Sequence, residues 1–147
     1  MTEKIGVQSI AAVDVGLLVV RVGLGIIFIV FGFPKITGGP ETWSGLGQAM
    51  GSLGITFAPT FWGFMAAVAE FAGGIALLTG LFVRPFAFLM AVTMAVATTM
   101  LVRGGAEMTK FAHPLNMAIV FTGLVIAGGG KLALGRLVTP LAGKWYR

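Results

Sequence analysis

The sequence predicts an all-α fold, a four-helix transmembrane bundle with a short amphipathic helix between its first two spans. Three observations carry this. Only 10% of the residues are charged and 57% are hydrophobic, whereas a soluble domain is about a quarter charged. Mean hydropathy is +0.99. Four apolar runs, residues 15–33, 61–81, 86–102 and 114–130, approach or reach the roughly 20 residues that a spanning helix needs. The 147 residues therefore form a single membrane domain.

The formal charge of +5 falls mostly between or beyond the apolar runs. It reads as topogenic charge and attraction to anionic lipid head groups, so the expected partner is the bilayer and not nucleic acid. With Cys 0 and a single His, disulfides, thiol redox chemistry, cysteine-ligated clusters and bis-His haem are excluded within the chain. No residue pattern suggests a metal site. The start, MTEKIGVQSIAAVD, lacks a basic region leading into an apolar core, so the first span is expected to act as an uncleaved anchor. The segment before Val15 reads as a short interfacial piece.

In the first span Arg21 stands about 9 Å in at 1.5 Å per residue. Gly25 and Gly32 share one face seven residues apart and permit a close helix neighbour. Pro34 and Lys35 are expected to close the span. Between Pro40 and Leu53, Trp43, Leu46, Met50 and Leu53 recur at intervals of three, four and three, an amphipathic stripe suited to a lid against the membrane surface or bundle top.

In the second span Trp62 reads as an interfacial anchor, and Ala66, Ala69, Gly73, Ala76 and Gly80 mark a face for tight packing. Glu70 stands alone inside this apolar run. An ionised group at mid-bilayer costs roughly 2.5–3.5 kcal/mol on insertion scales and calls for a partner or a wet cavity. Because the first two spans run antiparallel, Arg21 is its expected partner, and Arg21 with Glu70 forms the predicted polar centre.

Arg84 and Pro85 form a tight turn before the third span, where Met90 and Met94 read as packing residues. Arg103, Glu107, Lys110 and His113 gather in the next connection. The fourth span offers Asn116 and Thr122 as hydrogen-bonding groups, and Leu132, Leu134, Leu137 and Leu141 with Trp145 and Tyr146 suggest a surface-seeking end. Six cations, Lys4, Arg84, Lys131, Arg136, Lys144 and Arg147, lie on the side of the termini, against Lys35, Arg103 and Lys110 opposite. That bias predicts cytoplasmic termini in a multi-pass plasma (inner) membrane protein.

Arg21, Gly32-Phe-Pro-Lys35, Glu70-Phe-Ala-Gly73-Gly74, Thr79-Gly80-Leu81 with Arg84, and Gly128-Gly129-Gly130 coincide in one chain. Together they resemble the DoxX family of small four-helix membrane proteins, over about residues 15–137. The resemblance implies an accessory membrane subunit of an oxidoreductase or respiratory complex, with Arg21, Glu70 and Lys35 as functional positions. Arg84, His113 and Asn116 are further candidates for headgroup or partner contacts. The chain has no redox centre of its own, so such a role implies that a bound quinone or a partner subunit carries the electrons. Two other readings stand beside it: a purely structural subunit or assembly factor of a larger membrane complex, and a small transporter. The transporter reading finds no broken helix or inverted repeat to support it.

Overall fold

The computed structural model describes residues 2–135, with side chains from residue 12 onward. The order is α1 (Thr2–Thr37), α2 (Gly39–Gly47), a 3₁₀ helix (Gln48–Leu53), α3 (Pro59–Thr79), α4 (Val83–Arg103) and α5 (Met108–Ala127). Among the described residues there is no strand. Residues 12–37 of α1 and all of α3, α4 and α5 are long and apolar enough to cross a membrane. Lipid offers no hydrogen-bond partners, so these runs satisfy their backbones internally as helices.

Three boundaries differ from the sequence reading, each with a local cause. Residues 2–14 continue α1 and do not form a separate segment. Pro34 lies inside α1, which ends only at Thr37; a proline this near a helix end removes one backbone bond and leaves a single turn to be held. Thr37 helps there by donating its hydroxyl to the Phe33 carbonyl at 2.8 Å. Likewise α5 begins at Met108, so Pro114 falls within it. The helix ends at Ala127, where Gly128 (φ 74°), the first of the glycine triplet, caps it. Leu137, Leu141, Trp145 and Tyr146 lie outside the described residues.

The pairing of α1 with α3 rests on main-chain contact. A Cβ on Gly25 would lie 2.7 Å from the Leu78 nitrogen, one on Gly32 2.8 Å from the Phe71 Cα, and one on Gly74 2.8 Å from the Ile29 nitrogen. Such approach is the use of small residues in membrane packing. Gly73, one residue from Gly74, faces the other way and receives the Met90 side chain, whose sulfur would lie 2.5 Å from an added Cβ. Met90 and Met94 are both buried in the core with Phe28, Leu77, Phe121 and Leu124. Phe28 and Phe121 meet edge to face at 5.0 Å and join α1 to α5.

The amphipathic stripe folds as α2 and the 3₁₀ helix and forms a roof. Leu46, Met50 and Leu53 point into the space beneath it. Gly47 and Gly63 bring the roof against α3: a Cβ on Gly47 would sit 1.7 Å from the Pro59 carbonyl oxygen, and one on Gly63 1.6 Å from that of Trp43. The Trp43 indole N–H donates to the Lys35 carbonyl at 2.9 Å, and the Arg103 guanidinium donates to the Ser52 carbonyl.

Gly25→Val is therefore expected to overpack the α1–α3 contact and lower stability by about 1–3 kcal/mol. Gly23, whose added Cβ meets nothing within 4 Å, provides the control, and Gly23→Ala is expected to be neutral or stabilising. Thermal or denaturant melts of both variants in one detergent check the pair.

Candidate functional site

The two charges expected to meet do not. Arg21 is 1% exposed, yet its Nη1 donates to the Leu77 carbonyl at 2.9 Å and its Nη2 to the Leu132 carbonyl at 3.3 Å. The glycine contacts place Arg21 level with Leu77 and Gly80, whereas Glu70 lies seven residues earlier on α3, about 10 Å along the axis. The sequence reading set Arg21 by distance from an assumed helix start at Val15, but α1 begins well before it. The guanidinium holds the end of α3 and the segment after α5 in place.

Glu70 pairs with Lys35 instead, Nζ to Oε2 at 2.5 Å. Continuation of α1 through Pro34 makes this possible, because Lys35 stays on the helix two turns beyond Phe28 and shares its inward face. The carboxylate side chain is 6% exposed and the lysine 33%. An ion pair this deep leaves neither charge unaccompanied, which is the condition for keeping an acid inside an apolar bundle.

The pair stands at the edge of a cavity of about 890 Å³ beneath the roof. Its wall is mostly apolar, from Phe28, Phe31, Met65, Val92, Met100 and their neighbours, with Lys35, Glu70, Trp62 and His113 among the polar groups. Size and lining match those of pockets for small amphiphilic ligands. The Trp62 indole Nε1 is buried without a hydrogen-bond partner among the described residues. A buried donor left unmatched costs about 1–3 kcal/mol, so the site is suited to a ligand that brings an acceptor. Trp62 was expected only as an interfacial anchor. The missed signal was spacing: Trp62, Ala66 and Glu70 recur every four residues and share one face of α3.

The remaining candidates separate. His113 lines the cavity at its exposed edge. Asn116 is exposed and lies outside the cavity wall, and Thr122 turns its hydroxyl back to the Ala118 carbonyl. Arg84 belongs to the opposite end, where Nη2 donates to the Ile126 carbonyl at 3.3 Å and links the start of α4 to the end of α5. Near that end Asp14 accepts from the Lys131 amide at 2.8 Å.

The sequence has counterparts among known proteins. A DoxX family model matches residues 16–104, more than half of the chain. The chain belongs to the DoxX family. The matched stretch of this DoxX protein contains Arg21, Lys35, the roof and Glu70, while α5 falls beyond it. It is 33% identical over 135 residues to the inner membrane protein YphA of Escherichia coli, covering 86% of this chain and 92% of that protein. To the inner membrane protein YqjF of the same organism it is 32% identical, covering 90% and 96%. It is also 32% identical to a Bacillus subtilis protein named "Putative oxidoreductase CatD", covering 85% and 88%. No solved structure matches.

A double-mutant cycle distinguishes the observed pairing from the expected one. Lys35→Met and Glu70→Gln are expected to couple by about 0.5–3 kcal/mol, as contacting charges do, while Arg21→Leu and Glu70→Gln should add to within about 0.5 kcal/mol. Unfolding free energies of the three single and two double variants in detergent decide it.

Proposed function

We propose that this DoxX-family protein is an accessory subunit of the inner membrane that holds a quinone for a partner oxidoreductase. The observation that carries the reading is the roofed cavity, apolar over most of its wall and ending at the Lys35–Glu70 pair and the unmatched Trp62 N–H. A quinone ring fits that donor set, since its carbonyl oxygens accept hydrogen bonds. When bound it supplies two-electron, two-proton chemistry.

This chain's residues bind, orient and manage protons. Lys35 Nζ is the donor placed to fix a carbonyl oxygen, and it also holds the Glu70 carboxylate in one position. Trp62 Nε1, eight residues and about 12 Å earlier along α3, is a separate donor nearer the roof. Glu70, 6% exposed, is placed to hold or release a proton at Oε1 or Oε2, the task of a positioned general acid or base. His113, at the exposed edge of the same cavity, offers an exchange point with water. With Cys 0 and one His in the chain, the electrons are assigned to the partner subunit. The similarity to a Bacillus subtilis protein whose name contains oxidoreductase supports the general class. The bias of cations toward the termini supports their cytoplasmic placement.

A second reading, a purely structural subunit, has its own observation. Arg21 spends its hydrogen bonds on main-chain carbonyls of two segments, as a residue fixing helix register would. The two readings differ in what the protein carries through a mild purification. Mass spectrometry of the extracted lipids is expected to find quinone in the wild type. Retention should fall about tenfold in Lys35→Met and in Trp62→Phe, each the loss of one hydrogen-bond donor, and hold in a folded Arg21→Lys variant. A stoichiometric protein partner with no quinone would establish the structural reading instead.

A further inference from the structure

The cavity is not enclosed on all sides. α3 and α4 leave a short turn around Gly80–Phe82 and touch where Met90 fills the space over Gly73. Toward the roof the facing residues are small or slender, Ala66 and Ala69 on α3 and Thr93 and Ala97 on α4, and the cavity occupies the space they leave. Met65, Leu89 and Val92 line the cavity along the α3–α4 seam and yet are 39%, 39% and 46% exposed, while Ile27 and Phe31 of α1, at 45% and 61%, border it on a second side. Side chains that face both ways form the rim of an opening. Leu89 and Val92 lie six and nine residues into the spanning helix α4, about 9–14 Å from its start, a depth at which the surroundings are hydrocarbon.

The roof above this opening is pinned at both ends. Gly47 and Gly63 bring it into main-chain contact with α3, Trp43 fastens it to the end of α1, and Arg103 fastens the 3₁₀ helix to the end of α4. A backbone contact of that closeness leaves no room for a swinging lid. The flexible Met65 rim side chain, with Met50 above it, suits an apolar occupant of variable shape.

We propose that the α3–α4 gap is a lateral mouth through which the isoprenoid tail of a membrane quinone passes between the bilayer and the cavity, its ring at the Lys35–Glu70 end. The inference rests on the quinone reading for its occupant, whereas the direction of approach stands on the rim geometry alone. Entry of the tail therefore runs from lipid, separate from the water-exposed edge at His113, and the tail is a recognised part of the ligand.

The absence of cysteine from the chain makes single-thiol labelling a clean test. Ala97→Cys puts one thiol in the cavity wall, Val19→Cys one on the lipid-facing side of α1, and Gly51→Cys one on the roof, where an added Cβ meets nothing within 4 Å. In liposomes the thiol at position 97 should react with the bilayer-soluble pyrene maleimide at about the rate of position 19, within tenfold. A charged, membrane-impermeant methanethiosulfonate should modify position 51 and leave position 97 at least about tenfold slower. A long-tailed quinone should protect position 97, and a tail-less benzoquinone at equal concentration should protect it less. If the charged reagent reaches position 97 as fast as position 51, the lateral mouth is overturned. If labelling comes from the bilayer but neither quinone protects, the quinone occupant is overturned while the mouth stands.

Discussion

Main-chain contact between α1 and α3 determines which side chains meet along the bundle. Gly25 and Gly74 allow the helices to touch at one level, and Gly32 against Phe71 repeats the contact two turns on. Because both helices are rigid rods with a fixed rise, these contacts set the register of the whole pair. Arg21 is thereby placed beside the Leu77 carbonyl, and Lys35 beside the Glu70 carboxylate. In lipid a shift of one turn would separate each charge from its partner, with no water to replace it. The electrostatics of the interior therefore follow from a steric fit.

The register also divides the molecule into two ends with different chemistry. At one end Arg21, Arg84 and Asp14 bond mostly to main-chain atoms: carbonyls of Leu77, Leu132 and Ile126, and the Lys131 amide. Groups spent in this way fasten segments together. At the other end Lys35, Glu70, Trp62 and His113 border open space under a pinned roof. There a buried carboxylate keeps one side toward a cavity and an indole N–H lacks an acceptor. The main-chain anchors and the cavity thus lie at opposite ends of one small bundle.

Much of this was legible in the sequence. Length and hydropathy located four spans, the seven-residue spacing of Gly25 and Gly32 marked the tight face, and the three-four-three stripe marked the roof. The partner of Glu70 was not legible. Pro34 reads locally as a stop, and a stop would have left Lys35 at the interface. A proline one turn from a helix end interrupts little, so the helix and its lysine continue inward. Register, too, cannot be counted from the edge of an apolar run, because the run and the helix begin at different residues. Gly74 set it, and in sequence Gly74 is indistinguishable in kind from Gly73, which packs on another helix altogether.

The cavity itself weighs on the choice between a binding subunit and a structural one. Fixing helix register requires contact, and the α1–α3 glycines with Arg21 already provide it; a void of about 890 Å³ subtracts contact from the same bundle. Each apolar side chain on its wall gives up dispersion partners that close packing would have supplied. Larger residues at Ala66, Ala69 or Ala97 would fill the space and strengthen a merely structural protein. Small residues on two facing helices, beneath a roof held by backbone contact and beside a buried ion pair, leave a volume that larger side chains would have filled. A volume open to hydrocarbon takes in apolar chains, and the polar groups lining it offer hydrogen bonds to a polar head, which is the feature the quinone reading uses.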